Sequence, residues 1–322
     1  MKIIILGAGL AGGIAKGAFL NNNPTVYEEK EKENSALSSH HAVMRVKSVD
    51  IAKYIGCGYE EIQVRKSVFN HHTMTSSDSA TVCDNNSYSY KLYKRFDNRS
   101  LQHLGVVKRY LLDYKPLSDA IYGMRVKKIV PGVIDFEDTK TGLMHSEIYD
   151  YCISTLPMGY MLKCIGIENV HEEFKSTPII VLTAELTIPS SIHQTIYFPR
   201  HDSSLYRVTI EGRRIMAEFI HGPSDQPFAE IFKDYIWSAF GIPYCVIGEM
   251  SIKKQPNGKM IEIDDTKRRR NIMKLTDKFN IISFGRLAIW KPIRADDLID
   301  DIDRIKKMLK TRELYDYSSR LI

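Results

Sequence analysis

Residues 3–13 read IIILGAGLAGG, an apolar strand pattern that runs directly into a glycine-rich turn with the spacing G-x-G-x-x-G. In this spacing the first glycine permits a tight turn, the second lets the backbone approach a pyrophosphate, and the third lets the following helix pack closely on the sheet. Unpaired N–H groups at the helix N-terminus then favour the anion. The cofactor-binding residues predicted from this turn are Gly7, Gly9, Leu10, Ala11 and Gly12.

The sequence after the turn supports a dinucleotide site. A helix pattern over 14–21 is followed by a strand, Thr25-Val26-Tyr27, which ends at Glu28, 28 − 7 = 21 positions after the first glycine. A carboxylate roughly 20 residues after that glycine accepts hydrogen bonds from ribose hydroxyls and disfavours a 2′-phosphate, so FAD or NAD is expected rather than NADP. Glu29 is a second candidate. Alternatively, both glutamates belong to a solvated strand end, because residues 28–33 are all charged.

Composition indicates an ordinary globular protein. With 322 residues the chain is long enough for two domains or for one domain with a large insertion, and it is 43% hydrophobic and 26% charged. We expect a cytoplasmic protein with no membrane partner, because the first residues read as a core strand and no apolar run approaches the roughly 20 residues that span a bilayer. The five cysteines are scattered and form no C-x-x-C pair, so reduced thiols and no metal site are expected.

Two further regions have strand patterns that lead into polar turns. In the middle of the chain, 124–129 and 133–136 alternate around Pro131-Gly132 and lead to the segment 149–157. Near the end, an apolar strand over 280–284 runs into Gly285. A helix follows, with apolar residues at helical spacing. These are Leu298, Ile299, Ile302, Ile305 and Leu309.

The blocks between these regions differ from them in residue composition and patterning. This difference predicts a discontinuous cofactor domain interrupted by a substrate or cap domain. The substrate domain is predicted to carry several strands. The boundaries predicted for the cofactor domain are 1–45, 106–165 and 276–322, and those for the substrate domain are 46–105 and 166–275.

The glycine turn, the Tyr-Asp-x-x-Ile-x-Thr-x-Pro segment at 149–157 and the Gly-Arg-x-Ala-x-Trp segment at 285–290, in this order, resemble the FAD-binding signature of the amine-oxidase and UDP-galactopyranose mutase flavoprotein group. The resemblance bears mainly on cofactor binding. It implies FAD and an α/β fold: a Rossmann-like FAD-binding domain of GR2-type flavoprotein architecture with an inserted, discontinuous β-rich α+β substrate domain.

The resemblance implies further FAD contacts along the chain. A helix N-terminus at Asp296 and Asp297 would direct amide N–H groups at the flavin pyrimidine edge, where negative charge accumulates on reduction. Arg286 would offer a planar donor group to a phosphate or the flavin, or else form a surface ion pair. The remaining implied contacts are Val126, through its backbone, Thr155, Pro157, Gly285 and Leu298.

One segment departs from the group. Where relatives have a Gly-Gly pair after the ribose carboxylate, this chain has Ser38-Ser39-His40-His41, followed by Ala42-Val43-Met44-Arg45. His40 and His41 are therefore candidates for proton transfer, and Arg45 for a phosphate contact. Adjacent histidines point in different directions, so at most one is catalytic, and the alternative is that neither is. The stretch also resembles compact phage-borne flavoproteins associated with modified DNA bases, which suggests nucleotide-linked amines as substrates.

The substrate residues come from a second mutase-like region. The segments Tyr197-Phe198-Pro199 and Tyr206-Arg207-Val208 resemble the sheet over the flavin, so Arg207 is predicted to act on an anionic substrate group and Tyr197 and Tyr206 to form its walls. Trp290 and Lys291 are further candidates. Core aromatic residues beside a surface arginine are the alternative interpretation.

Three functions remain open from the sequence. The first is an FAD-dependent oxidoreductase that oxidises an amine or amino-acid-like group, on a small or nucleotide-linked substrate. The second is a mutase-like isomerase that uses reduced FAD on a nucleotide sugar, and the third is a non-catalytic dinucleotide-binding protein. Direct nucleic-acid binding is not supported: the net charge is only +6, and the basic run 267–270 reads as a solvated face. The oligomeric state is left open.

Overall fold

The computed structural model describes residues 1–32, 44–94, 101–167, 174–220 and 228–311. The chain forms two compact units. The first comprises Met1–Glu60, Leu112–Lys175 and Glu262–Ile322, and the second comprises Glu61–Leu111 and Ser176–Ile261. Both units are therefore assembled from segments that are distant in sequence.

The described residues contain strands and helices in mixed order. In chain order the strands are β1 (Ile3–Leu6), β2 (Thr25–Glu28), β3 (Arg45–Val46), β4 (Gly58–Asn70), β5 (Thr75–Ser77), β6 (Gly105–Asp113), β7 (Ile121–Tyr122), β8 (Met124–Val130), β9 (Val133–Asp138), β10 (Met144–Ile148), β11 (Tyr151–Ser154), β12 (Ser176–Leu186), β13 (His193–Tyr197), β14 (Leu205–Glu211), β15 (Arg214–Ile220), β16 (Ile247–Met260) and β17 (Ile281–Ser283). The helices are α1 (Leu10–Ala18), α2 (Asp50–Ile55), α3 (Val82–Tyr93), α4 (Met158–Cys164), α5 (Phe228–Phe240), α6 (Asp265–Phe279) and α7 (Asp297–Thr311).

A parallel sheet in the order β17-β11-β1-β2-β7 forms the centre of the first unit. All four residues of β1 are at most 1% exposed, as expected for a parallel strand that is covered on both faces and reads as a continuous apolar run. Leu6 lies opposite Ser154, which lies opposite Ser283. Because these strands are parallel, the turns that follow them meet at one edge of the sheet, where ligands of such sheets bind.

An antiparallel sheet, β10-β9-β8, also belongs to the first unit, and its β8–β9 hairpin turns at Pro131-Gly132 as predicted. The helix predicted near the end of the chain is α7, which buries Leu298, Ile302 and Ile305 on one face. Helical periodicity therefore located this element correctly.

The second unit is built on a large sheet whose strands are ordered β16-β12-β15-β14-β13-β4-β6, with β5 paired to β4. Neighbours are antiparallel in the pairs from β16 to β13, whereas β13 and β4 are parallel. Helix α5 packs Phe232 and Ile236 onto an apolar cluster that includes Phe69, Phe198 and Phe219. Alternate residues of β14 and β15 lie on the opposite face of the sheet, which is largely polar.

Helix α3 begins at a capping box in which Thr81 and Asp84 exchange hydrogen bonds. One sequence expectation is corrected in these elements. In the basic run, which lies in α6, Arg268 is buried rather than solvated. It donates to Asp265 Oδ1 at 2.5 and 2.9 Å and to the carbonyl of Ile289 at 3.5 Å. The Arg268 guanidinium is therefore bound within the protein and does not belong to a solvated face.

The observed layers confirm the predicted fold class, an α/β chain with a Rossmann-like parallel sheet and a second, β-rich mixed sheet. No helix within the described ranges is long and apolar enough to cross a membrane.

Gly12→Ala tests how closely α1 packs on the turn. A Cβ atom on Gly12 would lie 1.9 Å from the carbonyl oxygen of Gly7, so the helix would have to move away from β1. We expect Ala at this position to lower the free energy of unfolding by about 1–3 kcal/mol, although Ala ordinarily favours a helix. Urea unfolding measures this. Gly58→Ala is the control, because the nearest atom to its added Cβ is 3.9 Å away, and equal stability of the two variants would contradict the packing argument.

Candidate functional site

The glycine turn of the first unit has the geometry that an anion site requires. Gly7 adopts a φ of +98°, which L-residues with side chains rarely adopt, and its N–H donates to the carbonyl of Tyr27 at 2.7 Å. Helix α1 begins directly after Gly9, which caps it without any side-chain hydrogen bond. No N-cap side chain therefore satisfies the first amides of α1, and unsatisfied amides at a helix N-terminus favour an anion.

Space beside this turn is open at Gly9. A Cβ atom on Gly9 would have no atom of the described chain within 4 Å, whereas one on Gly12 would collide with backbone. The two glycines thus have different functions. Gly12 is required by protein packing, and Gly9 leaves a clear approach to the backbone.

The ribose-binding candidate lies at the same turn. Glu28 Oε2 accepts a hydrogen bond from the N–H of Ala8 at 2.8 Å, and its Oε1 accepts one from the N–H of Lys30 at 3.2 Å. The carboxylate is thereby held next to the glycine turn with lone pairs to spare. Glu29, the second candidate, instead forms an ion pair with Arg125 at 2.9 Å.

The two other motif segments meet this turn within the first unit. The Thr155 hydroxyl donates to the carbonyl of Leu6 at 2.8 Å, and a Cβ atom on Gly7 would lie 2.3 Å from that hydroxyl oxygen. Gly285 approaches α1 so closely that an added Cβ would lie 3.0 Å from the Cβ of Ala11. Pro157 precedes α4, whose first amide, that of Met158, donates to the carbonyl of Leu287 at 2.9 Å.

Asp296, which precedes α7, and Asp297, its first residue, accept hydrogen bonds from backbone amides. Asp296 Oδ1 accepts from the N–H groups of Lys47 and Ser48 at 2.7 and 3.0 Å, so this carboxylate ties the carboxy-terminal motif to the segment that follows β3. Asp297 accepts from the N–H of Arg294 at 2.7 Å and begins the helix. Leu298, the next residue, is buried.

The remaining predicted residues of the first unit are dispersed. The Val126 carbonyl accepts from the Tyr160 hydroxyl at 2.6 Å, and Trp290 is 2% exposed with its ring edge-on to Phe174 at 5.2 Å between centroids. Arg286 is exposed in the turn after β17, whereas Arg45 in β3 and Lys291 are partly buried. His40 and His41 lie outside the described residues.

In the second unit, Arg207 and Tyr206 share one buried carboxylate, Glu218. Tyr206 is the extra residue of a β-bulge between β14 and β15, which lets these consecutive side chains reach the same partner. The Tyr206 hydroxyl donates to Glu218 Oε1 at 2.9 Å, and Arg207 Nε forms an ion pair with Glu218 Oε2. Arg207 remains 34% exposed along its side chain, whereas Glu218 is 5% exposed.

Three more side chains complete this group. The Lys259 ammonium lies 4.7 Å from the centre of the Tyr206 ring, and Tyr88 on α3 packs edge-on against Tyr197 at 5.4 Å. We call the residues Tyr88, Tyr197, Tyr206, Arg207, Glu218 and Lys259 the polar cluster. Sequence reasoning found three of them. It missed Tyr88, Glu218 and Lys259, because strand order rather than any local pattern brings them together.

The charged neighbours within the polar cluster determine the ionisation of Glu218 and Arg207. Burial opposes ionisation of Glu218, but Arg207 and Lys259 favour the carboxylate more strongly, so the pKa of Glu218 is lowered. Burial likewise opposes the Arg207 charge, and the carboxylate overcomes it and raises the arginine pKa. One carboxylate thus faces two cations, Arg207 and Lys259.

Comparisons with known proteins bear on the fold. No family model matches the sequence, and no curated protein sequence matches it. A reduced UDP-galactopyranose mutase has a TM-score of 0.62 at 14% identity, covering 95% of this chain and 94% of that one. The CLA-producing fatty acid isomerase from P. acnes has a TM-score of 0.60 at 11% identity, covering 94% and 97%. An oxidoreductase from Methanosarcina mazei has a TM-score of 0.52 at 11% identity, covering 80% and 88%.

These three solved structures share the fold of this chain. Identities of this size show the fold alone, and they are consistent with the α/β architecture inferred from the sequence. The chemistry of this chain has to be argued from its own residues.

His71 is a titratable residue of the second unit whose surroundings oppose its charge. It lies between β4 and β5, with its ring edge-on to Phe69 at 4.9 Å and to Tyr235 at 5.6 Å. Burial, followed by the positive charges of Arg200 and Lys91, lowers the pKa of His71 to about 4 from 6.5. Between these values the unfolded chain binds a proton that the folded chain does not.

His71→Leu is therefore expected to lose less stability on acidification than the wild type. The contribution of neutral His71 is complete above pH 6.5 and is lost as the pH falls to about 4. Urea unfolding at both ends of this window measures the difference, and the exposed neighbour serves as the control in His72→Gln. The same loss of stability in His71→Leu and in the wild type would contradict the assignment.

Proposed function

We propose that this chain is an FAD-dependent oxidoreductase. The observation that carries the proposal is the meeting of three strand ends at the Gly7–Gly12 turn, with the approach to Gly9 open and a carboxylate beside it. This arrangement fits a dinucleotide with a pyrophosphate at α1 and a ribose at Glu28. FAD is favoured over NAD because the carboxy-terminal segment at Gly285, which the sequence links to flavin binding, lies against Ala11 of the same helix.

The residues that would hold FAD are distributed over the first unit. Backbone amides at Leu10, Ala11 and Gly12 bind the phosphates, Glu28 binds ribose hydroxyls, and the backbone of Val126 contacts the adenine. The segments at Thr155–Pro157 and Gly285–Leu298 contact the flavin side. When bound, FAD would supply a two-electron acceptor that takes these electrons as a hydride, and the protein would supply orientation and electrostatics.

The substrate side of the proposal rests on the polar cluster. Arg207 is oriented through Nε by a buried carboxylate while a third of its side chain stays exposed, so it can bind an anionic group of the substrate. Tyr197 lines this region, and His40 or His41 moves a proton. The substrate class is an amine or amino-acid-like group, free or linked to a nucleotide.

A mutase-type isomerase is the second candidate. Two solved structures that share the fold over more than nine-tenths of this chain are a reduced mutase and a fatty acid isomerase. On this alternative, reduced flavin acts on a nucleotide sugar without net redox turnover. The two candidates make opposite predictions about flavin reduction by substrate.

Gly9→Val separates cofactor binding from folding. Because the described chain leaves the position of an added Cβ free of contacts, we expect the variant to keep the wild-type far-ultraviolet circular dichroism. It should lose FAD, because the side chain occupies the space that the pyrophosphate needs. The visible absorption spectrum measures bound flavin, and a folded variant with stoichiometric FAD would exclude this binding site.

Anaerobic titration of the flavin distinguishes the functions. Bleaching of the flavin band by an amine establishes the oxidoreductase. A flavin that amines leave oxidised, but that converts a nucleotide sugar after dithionite reduction, establishes the isomerase. A protein that cannot be reconstituted with FAD excludes both and leaves an NAD-binding protein or a non-catalytic dinucleotide-binding protein.

A further inference from the structure

Lys91, on α3 in the second unit, has a charged group inside the protein. The residue is 5% exposed. Its Nζ donates to the carbonyl oxygens of Phe198, Arg200 and Leu205 at 3.2, 2.6 and 2.6 Å. An ammonium group has three N–H donors, so these three acceptors satisfy it completely.

The charge is balanced by carbonyl dipoles. Among the described residues all hydrogen bonds of the Lys91 ammonium are to backbone oxygens. Its positive charge also contributes to lowering the pKa of His71, which follows β4, and of His201, which lies between β13 and β14. Arg200, in the same connection, forms an ion pair with Asp202. Burial lowers the pKa of Lys91 to about 7, so a charge held there without these acceptors would be costly.

All three acceptors belong to one short segment, residues 198–205, which links β13 to β14. Tyr197 precedes this segment, and Tyr206 and Arg207 follow it. Helix α3 also places Tyr88, one turn before Lys91, against the rings of Tyr197 and Tyr206. One helix therefore contacts both the connection and the cluster residues on either side of it.

We propose that Lys91 is a positioning residue, whose ammonium fastens the 198–205 segment to α3 and thereby sets the placement of Tyr197, Tyr206 and Arg207. The attachment of the 198–205 segment to α3 is inferred from the contacts of Lys91 alone. Its importance for substrate binding rests on the proposed function, which assigns Arg207 to the substrate. The two claims are therefore tested with separate measurements.

Hydrogen exchange measured by mass spectrometry tests the fastening in the full chain. Measurements are made at pH 6.5, below the Lys91 pKa of about 7, so that the ammonium form predominates. In Lys91→Met we expect the peptides that cover 196–208 to exchange several-fold faster, while those that cover β1 and α1 keep wild-type rates. Lys94→Met is the matched control, because Lys94 is an exposed lysine that directly follows the same helix. Unchanged exchange of 196–208 in folded Lys91→Met overturns the proposal.

Restoring slow exchange with an added amine tests whether the ammonium group of Lys91 is what holds the 198–205 segment. Lys91→Ala leaves space for methylammonium, which offers three donors to the same carbonyls, and its addition is expected to restore slow exchange. Sodium chloride at equal ionic strength is the control, and equal rescue by both salts contradicts the assignment.

The wild type supplies a test that does not depend on a variant's folding. Residues 198–205 should exchange more slowly than an exposed turn, because the contacts of Lys91 with their carbonyl groups restrict the movement of the backbone. Exchange as fast as in the exposed turn at 139–143 overturns the proposal.

Inorganic phosphate is the probe for the consequence at Arg207. Isothermal titration should show several-fold weaker binding in Arg207→Gln and in Lys91→Met, and wild-type binding in Lys94→Met. Wild-type phosphate binding by Lys91→Met, when Arg207→Gln weakens it, overturns the link between Lys91 and Arg207. If Arg207→Gln itself has no effect, the substrate role of Arg207 in the proposed function fails, and the exchange data still decide the fastening.

Discussion

The close approach of α1 to the end of β1 is the constraint on which the first unit depends. It exists because Gly12 has no side chain where the carbonyl of Gly7 lies. With the helix seated there, the space beside Gly9 is free of contacts from the described chain, and Ala11 lies close enough for Gly285 to pack against it. The meeting of three distant segments at one sheet edge therefore follows from a few missing Cβ atoms and from the parallel register of β1, β11 and β17.

The second unit depends on a different kind of constraint, the burial of charge. The buried Glu218 carboxylate is stabilised by positive charge. The bulge at Tyr206 lets Arg207 pair with Glu218 Oε2, while the Tyr206 hydroxyl donates a hydrogen bond to Oε1. Lys91 needs acceptors, and the connection between β13 and β14 supplies three carbonyls. Uncompensated charges in such places would cost several kcal/mol, on the order of the whole stability of a domain, so these contacts restrict the conformation of the surrounding chain.

Shared architecture does not carry the chemistry with it. A mutase, an isomerase and an oxidoreductase have the same fold as this chain at 11–14% identity. The fold provides a dinucleotide-type turn and a polar sheet face. A shared fold leaves the reaction open, and the polar cluster of this chain includes residues such as Glu218 and Lys259 that have no sequence motif.

The sequence by itself determined the elements whose signals lie within a few residues of each other. The glycine spacing located the β1–α1 turn, the interval to Glu28 located its carboxylate, Pro131-Gly132 located a hairpin, and helical periodicity located α7. Only the tertiary structure decided which partners these residues have. Asp296 holds amides 248 and 249 positions away, Arg268 is buried in a run that reads as solvated, and a bulge overrides the alternation that separates Tyr206 from Arg207. The physical reason is that turns and periodicities depend on local backbone sterics, whereas ion pairs and buried donors depend on strand order and register, which form only when the whole chain folds.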